Sequence, residues 1–192
     1  MWDFIFRMIL SEHDKDFFWK KHYLILDNFV EDKICDELRI LIQEAMAKNK
    51  HFDRYTENFM KYQELQTNLI PKIRVLQNQV IKQKLSIYEV LMEKISEVKF
   101  SRGGYSDINS RAQIYPHGSY LRPHKDGNDE EGYLSFSVAL NNRTGGGGFL
   151  KVGKDTVDCI KGRCTVMDAN AVKHEVTNVK DYTRYNLITF IR

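Results

Sequence analysis

Proline and cysteine are scarce in this chain of 192 residues, three of each. The cysteines, Cys35, Cys159 and Cys164, are too few and too scattered to form a disulfide framework in a chain long enough to build its own core, so a reducing, cytoplasmic setting is expected. No repeat, low-complexity tract or Pro/Gly-rich linker divides the sequence, and residues 1–192 read as one domain. Charge of one sign is lacking too: 29 Lys and Arg face 26 Asp and Glu, leaving +3 spread along the chain. That excludes the basic stripe of a nucleic-acid binder. No long apolar run is present either. The opening Met1 to Leu10 is interrupted by Asp3 and Arg7 and has no small-residue cleavage site, so it fits neither a signal peptide nor a membrane span and reads as a packed or fraying terminus.

The pattern changes near residue 100. Before it, Tyr23 to Phe29 predicts a strand, and Ile34, Leu38, Leu41 and Ala45 predict one helical stripe whose start Asp32 favours. Residues 49–68 mix polar and aromatic types without a clean period and read as a loop or marginal helix, a possible lid. Pro71 suits the first position of a helix carrying Ile73, Leu76 and Val80 on one face. Ser86-Ile87-Tyr88-Glu89 is a capping box for another, with Leu91 and Ile95 inward. Residues 1–100 are therefore expected to be mainly helical support. After residue 100, runs of β-branched and aromatic residues alternate with turns. The expected strands are Ala112 to Tyr115, Leu121 to His124, Tyr133 to Leu140, Phe149 to Val152, Thr156 to Ile160, Cys164 to Met167, His174 to Asn178 and Arg184 to Ile191. About eight strands predict a jelly roll, so the fold class is α+β with that core braced by N-terminal helices.

Chemistry concentrates in the β half. In His124-Lys125-Asp126, strand alternation points residues i and i+2 to one face. With His174 they make two imidazoles and a carboxylate, the facial triad of non-haem Fe(II) oxygenases, which leaves coordination positions open for O2. Arg184 follows ten residues after His174. A turn at Asn178 to Asp181 is expected to set the two strands side by side. The apolar residues around Arg184 bury it, and a buried guanidinium near a metal calls for an anion such as a 2-oxo dicarboxylate, 2-oxoglutarate, held by a forked pair.

The segment from Ala112 to Arg192 resembles the double-stranded β-helix of Fe(II)- and 2-oxoglutarate-dependent dioxygenases, in particular the prolyl 4-hydroxylase-like branch. The resemblance rests on Gln113-Ile114-Tyr115-Pro116, Arg122-Pro123-His124-Lys125-Asp126, Leu140-Asn141 with Gly145 to Gly148 and Phe149-Leu150-Lys151-Val152, His174-Glu175-Val176, and Thr183-Arg184-Tyr185. It extends weakly to Tyr23 to Phe29. The resemblance implies that His124, Asp126 and His174 bind iron, that Arg184 binds the 5-carboxylate of 2-oxoglutarate, and that Tyr115 lines the co-substrate pocket. It also implies that Asp at 126, where related halogenases have Gly or Ala, goes with hydroxylation. One departure is Ala139, which stands where hypoxia-type prolyl hydroxylases carry a second co-substrate tyrosine.

Other signals are weaker. Gly148 to Lys154 mimics the start of a phosphate-binding loop, but Asp155 and the strand-like residues after it exclude that reading. Cys159 and Cys164 have no second ligand pair. His13, His22, His51 and His117 lack partner spacing. Substrate contacts are expected from the loop Arg102 to Arg111, the aromatic stretch Tyr55 to Tyr62, and Arg122. The resulting expectation is a hydroxylase of an amino-acid residue in a peptide or protein. The alternatives are a tailoring hydroxylase of a free amino acid or small intermediate, and a non-catalytic jelly-roll binding module that holds a metal.

Overall fold

The computed structural model describes residues 10–48, 50–67, 70–76, 91, 108–126 and 134–191. Ser11 starts helix α1 (Glu12–Lys21) with a capping box in which its hydroxyl accepts from the Asp14 N–H while the Asp14 carboxylate accepts from the Ser11 N–H. Phe18 is the one buried residue of this helix, so it has almost no apolar period, and Ser11-x-x-Asp14 is the signal that marks it. His22, at φ 62°, ends the helix and turns the chain into strand β1 (Tyr23–Leu26). Helix α2 (Asp32–Ala47) buries Cys35, Leu38, Ile42 and Ala45. The expected stripe shares Leu38 and Ala45 with this face, and Ile34 and Leu41 flank it, partly buried.

Residues 49–68 need a correction. Residues 52–66 form a hairpin of β2 (Phe52–Thr56) and β3 (Met60–Gln66), turning at Asn58 with φ 61°. The period of two is hidden because Arg54 and Glu64 occupy the face shared with Tyr62, and Glu64 is buried there. Residues 52–66 are thus strand rather than the expected loop or marginal helix. Residues 71–76 are helical and bury Ile73. Val80, the box at Ser86 to Glu89, and Ile95 lie outside the described residues, as do residues 1–9 and 101–107.

The remaining strands are β4 (Ile108–Tyr115), β5 (Tyr120–His124), β6 (Leu134–Ala139), β7 (Gly146–Gly147), β8 (Leu150–Val152), β9 (Asp155–Val157), β10 (Cys164–Asp168), β11 (His174–Val176), β12 (Val179–Lys180) and β13 (Arg184–Ile191). Every expected strand of the second half is present, Arg184–Ile191 with the expected bounds and the others with shifted ends. They lie in one curled antiparallel sheet of order β1-β10-β6-β13-β4-β3-β5-β11-β8-β9, with β2 on β3. β10, β6, β13 and β4 form one wall, and β5, β11, β8 and β9 the other. β3 joins the walls, pairing with β4 through Gln63–Gln66 and with β5 through Met60 and Lys61. This is the expected jelly roll.

α2 and residues of β1, β6, β10 and β13 share one core cluster on the outside of the first wall. A second cluster, including Tyr115, Leu121, Leu150, Met167 and Val176, fills the space between the walls. β7 and β12 pair separately, and there Gly147 is required: its φ is +64°, and a Cβ would stand 1.8 Å from the Asn178 carbonyl oxygen. Gly147→Ala is expected to destabilise the fold by about 2 kcal/mol or more, read as a lowered midpoint in urea unfolding.

Candidate active site

His124 ends β5 and His174 begins β11, and the two stand directly opposite each other in the register of these strands. Asp126 lies two residues beyond β5, where its N–H donates to the Ala169 carbonyl at 2.9 Å. It is this backbone tie, rather than strand alternation, that turns its carboxylate back toward the imidazoles. Asp126 Oδ1 is 3.2 Å from His124 Nε2 and Oδ2 is 3.3 Å from His174 Nε2. All three ligand atoms lie within 4.8 Å of one another.

Each imidazole also has its other nitrogen turned to a backbone carbonyl, His124 Nδ1 to Arg122 at 2.8 Å and His174 Nδ1 to Val172 at 3.4 Å. A carbonyl only accepts, so Nδ1 is the nitrogen that carries a proton there; Nε2 donates to Asp126 when it is protonated as well, and once that proton leaves it offers a lone pair to the centre of the cluster. Burial disfavours the charged Asp126 carboxylate, but hydrogen bonds from His124 and His174 outweigh it and hold the pKa well below the usual range. Burial likewise opposes the His124 imidazolium, and the bonds to Asp126 and to the Arg122 carbonyl raise its pKa overall. An anionic carboxylate between two imidazoles is a donor set that a divalent cation fits.

The cluster opens on a cleft of about 350 Å³, part of it open to solvent. His124, Asp126, Leu121, Leu150, His174 and Val176 line one side, and Gln113, Ser137, Met167, Asn186, Ile188 and Phe190 the other. Sequence reasoning gave no site role to Gln113, Ser137 or Asn186. The serines alternating in Leu134–Ala139, a strand buried along its whole length, were the available signal.

Arg184 precedes Asn186 on the same face of β13 and is 2% exposed. β11 and β13 are not side by side as expected. They belong to opposite walls, since β11 pairs with β5 and β8 whereas β13 pairs with β4 and β6. Arg184 therefore faces the interior from across the barrel. Its Nη1 donates to the Gly148 carbonyl at 2.5 Å and its Nη2 meets Asn186 Oδ1 at 3.5 Å, while its buried Nε has no partner among the described residues. A buried cation with no carboxylate bonded to it among the described residues and an unspent N–H can accommodate an anion.

Tyr115 stands opposite Arg184 in register, fully buried and stacked on Tyr62 at 5.0 Å. Burial first, then the neighbouring Tyr62, push its pKa well above the usual value. It is a neutral phenol that donates to Gln113 Oε1 at 2.8 Å.

No family model matches the chain, and no curated protein matches it. Solved structures do. A prolyl 4-hydroxylase from Pseudomonas putida is 19% identical, with 94% of this chain and 97% of that one covered at a TM-score of 0.68. A prolyl hydroxylase from Trichoplax adhaerens, in complex with a peptide fragment of the oxygen degradation domain of hypoxia-inducible factor, is 14% identical, with 93% and 86% covered at 0.69. The epimerase SnoN of nogalamycin biosynthesis, described as non-haem and α-ketoglutarate-dependent, is 12% identical, with 94% and 81% covered at 0.74. The fold is that of the Fe(II)- and 2-oxoglutarate-dependent oxygenases.

Within this oxygenase fold, Ala139 lies across from Asn186, so Asn186 and Ser137, joined by an Nδ2 to Oγ bond of 2.7 Å, are the polar groups beside Arg184 on that face. His117 is an exposed turn residue that accepts from the Asp181 N–H. The loop resembling a phosphate site is the hairpin β8–β9. Among the described residues no helix is long and apolar enough to cross a membrane.

Proposed function

We propose that the protein is an Fe(II)- and 2-oxoglutarate-dependent oxygenase that hydroxylates an unactivated C–H bond, releasing succinate and CO2. The observation that carries this reading is the pairing, across one interior, of a three-donor centre with a buried arginine whose Nε has no partner. Bound iron and 2-oxoglutarate supply the oxidative chemistry, using O2 to decarboxylate the co-substrate and oxygenate the substrate. The chain supplies the rest. His124, Asp126 and His174 hold the metal through two imidazole Nε2 atoms and one carboxylate. Arg184 takes the distal carboxylate of the co-substrate, and Tyr115 borders it once its proton turns from Gln113. Phe190, Met167 and Ile188 keep the cleft poor in water.

A peptide or protein segment is the substrate that the surroundings support best. Among the described residues β2 is paired only with β3, and it carries Phe52 and Tyr55, 54% and 66% exposed. Phe59, at the turn of the same hairpin, packs edge-on against the His124 ring at 5.8 Å. An extended chain lying along this edge reaches the metal side of the cleft. Three buried cysteines with no disulfide among them fit a reducing compartment such as the cytoplasm.

Anaerobic titration with Fe(II) and then 2-oxoglutarate tests the reading. A visible metal-to-ligand charge-transfer band is expected in the wild type and absent in His124→Ala. A folded wild type that gives no band leaves only the metal-holding binding module. With the band established, a +16 Da product from a peptide library supports the peptide substrate, and turnover with free amino acids alone supports the tailoring alternative.

A further inference from the structure

A charged cluster beside the cleft plays no part in holding metal or co-substrate. Glu64 on β3 is 1% exposed, and both its oxygens are taken: Oε1 accepts from Arg54 Nη2 at 2.8 Å and Oε2 from Arg111 Nη1 at 3.1 Å. Two guanidiniums thus meet one carboxylate, a local excess of one positive charge. The side chains of Arg54 and Arg111 are 46% and 29% exposed, so N–H groups beyond those given to Glu64 are within reach of a ligand.

The cluster adjoins the cleft at two points. Glu64 is registered opposite Gln113, which lines it, and the Arg111 guanidinium sits 4.9 Å over the ring of Phe190, which also lines it. Three strands, β2, β3 and β4, each contribute one member, so the geometry is fixed by the sheet and not by a flexible loop. Burying a carboxylate with two arginines is weak evidence for stability, but it locks both forks in place. The one acid among the lining residues, Asp126, is held by the two imidazoles, so no other carboxylate of the cleft wall competes for the arginines.

We propose that Arg54 and Arg111 receive a carboxylate of the primary substrate, whose reacting C–H bond then lies further in, along Phe190 and Ile188 toward His124. This rests on the oxygenase reading and adds the chemical class of the substrate: an acid with an apolar segment between carboxylate and reacting carbon. The carboxylate is either the α-carboxylate of a small molecule or the side chain of an Asp or Glu in a peptide.

The test is equilibrium binding of matched probes to protein loaded anaerobically with Fe(II) and 2-oxoglutarate, so that Arg184 is already occupied. The probes are N-acetyl amino acids against their amides, and doubly capped peptides carrying Asp against Asn or Glu against Gln. In the wild type the acid of a pair binds at least about 10-fold more tightly, and the preference fades with added salt. Arg54→Gln, which leaves Glu64 paired with Arg111, reduces the preference toward unity. Glu64→Gln, which frees both guanidiniums, enlarges it; opposite responses of this kind do not arise from misfolding. Preference confined to N-acetyl amino acids assigns an α-carboxylate, and preference confined to capped peptides assigns a side chain. Equal binding of acids and amides across the panel overturns the proposal, as does a preference unchanged in both variants. Succinate formation by the wild type and the same titration on protein without iron or co-substrate separate the readings: acid preference without any succinate overturns the oxygenase and leaves the anion site standing.

Discussion

His174→Ala is expected to abolish both the charge-transfer band and succinate formation, leaving turnover at the level of free iron in buffer. Among the described residues three side chains converge on the centre, and His174 is the one delivered from the neighbouring strand β11. Without its Nε2, two donors remain on one stretch of chain, His124 and Asp126, and a site of this kind with a ligand missing binds its metal weakly and in the wrong geometry. The variant also leaves Asp126 Oδ2 without its partner at 3.3 Å. Far-UV circular dichroism and a thermal melt separate loss of metal from loss of fold. In the wild type Fe(II) raises the melting temperature by mass action, and in His174→Ala it does not. Wild-type turnover by this variant would remove His174 from the centre.

Arg184→Leu is expected to weaken 2-oxoglutarate binding by at least about 100-fold, roughly 3 kcal/mol, with Fe(II) binding retained. Arg184 is 2% exposed and, among the described residues, bonded to no carboxylate. Its desolvation is therefore offset only when a dianion arrives, and a bidentate pair in such a setting is worth more than a surface ion pair. The protein without co-substrate should melt no lower in the variant than in the wild type, since leucine removes a buried cation with an unpartnered Nε. Arg184→Lys keeps the charge but not the fork, and its affinity should fall between the two. Equal 2-oxoglutarate affinity in wild type and Arg184→Leu, measured by isothermal calorimetry, would place the co-substrate carboxylate elsewhere.

Legibility in the sequence followed how local the cause was. The strands after residue 100 were readable because each is a short apolar run closed by turn residues, and β13 was read as an interior strand because Leu187, Ile188 and Phe190 leave neither face polar. His124 with Asp126 was found by spacing, although the Ala169 carbonyl, more than 40 residues away in sequence, is what orients the carboxylate. The pairing of β11 with β5, instead of with β13, was not readable, because strand order in a jelly roll is set by which faces pack and not by which strands are consecutive. The hairpin at 52–66 was missed for a related reason. Its inward face carries Arg54 and Glu64, which pair with each other across the hairpin and, through Glu64, with Arg111 on another strand, so at the level of the sequence they look like solvent-facing residues.

β3 belongs to both walls of the barrel, and that has a mechanical side. A lid hinged at its ends swings without disturbing what it covers, but this hairpin is sewn to β4 by Gln63–Gln66 and to β5 by Met60 and Lys61. Leu121, the partner of Met60, is three residues from His124. A force that pries the hairpin outward therefore pulls on the strand that carries His124, and the load is shared with the register that sets His124 against His174. The rim and the triad thus share one hydrogen-bonded ladder, so strain applied at the hairpin would be carried to the spacing between His124 and His174.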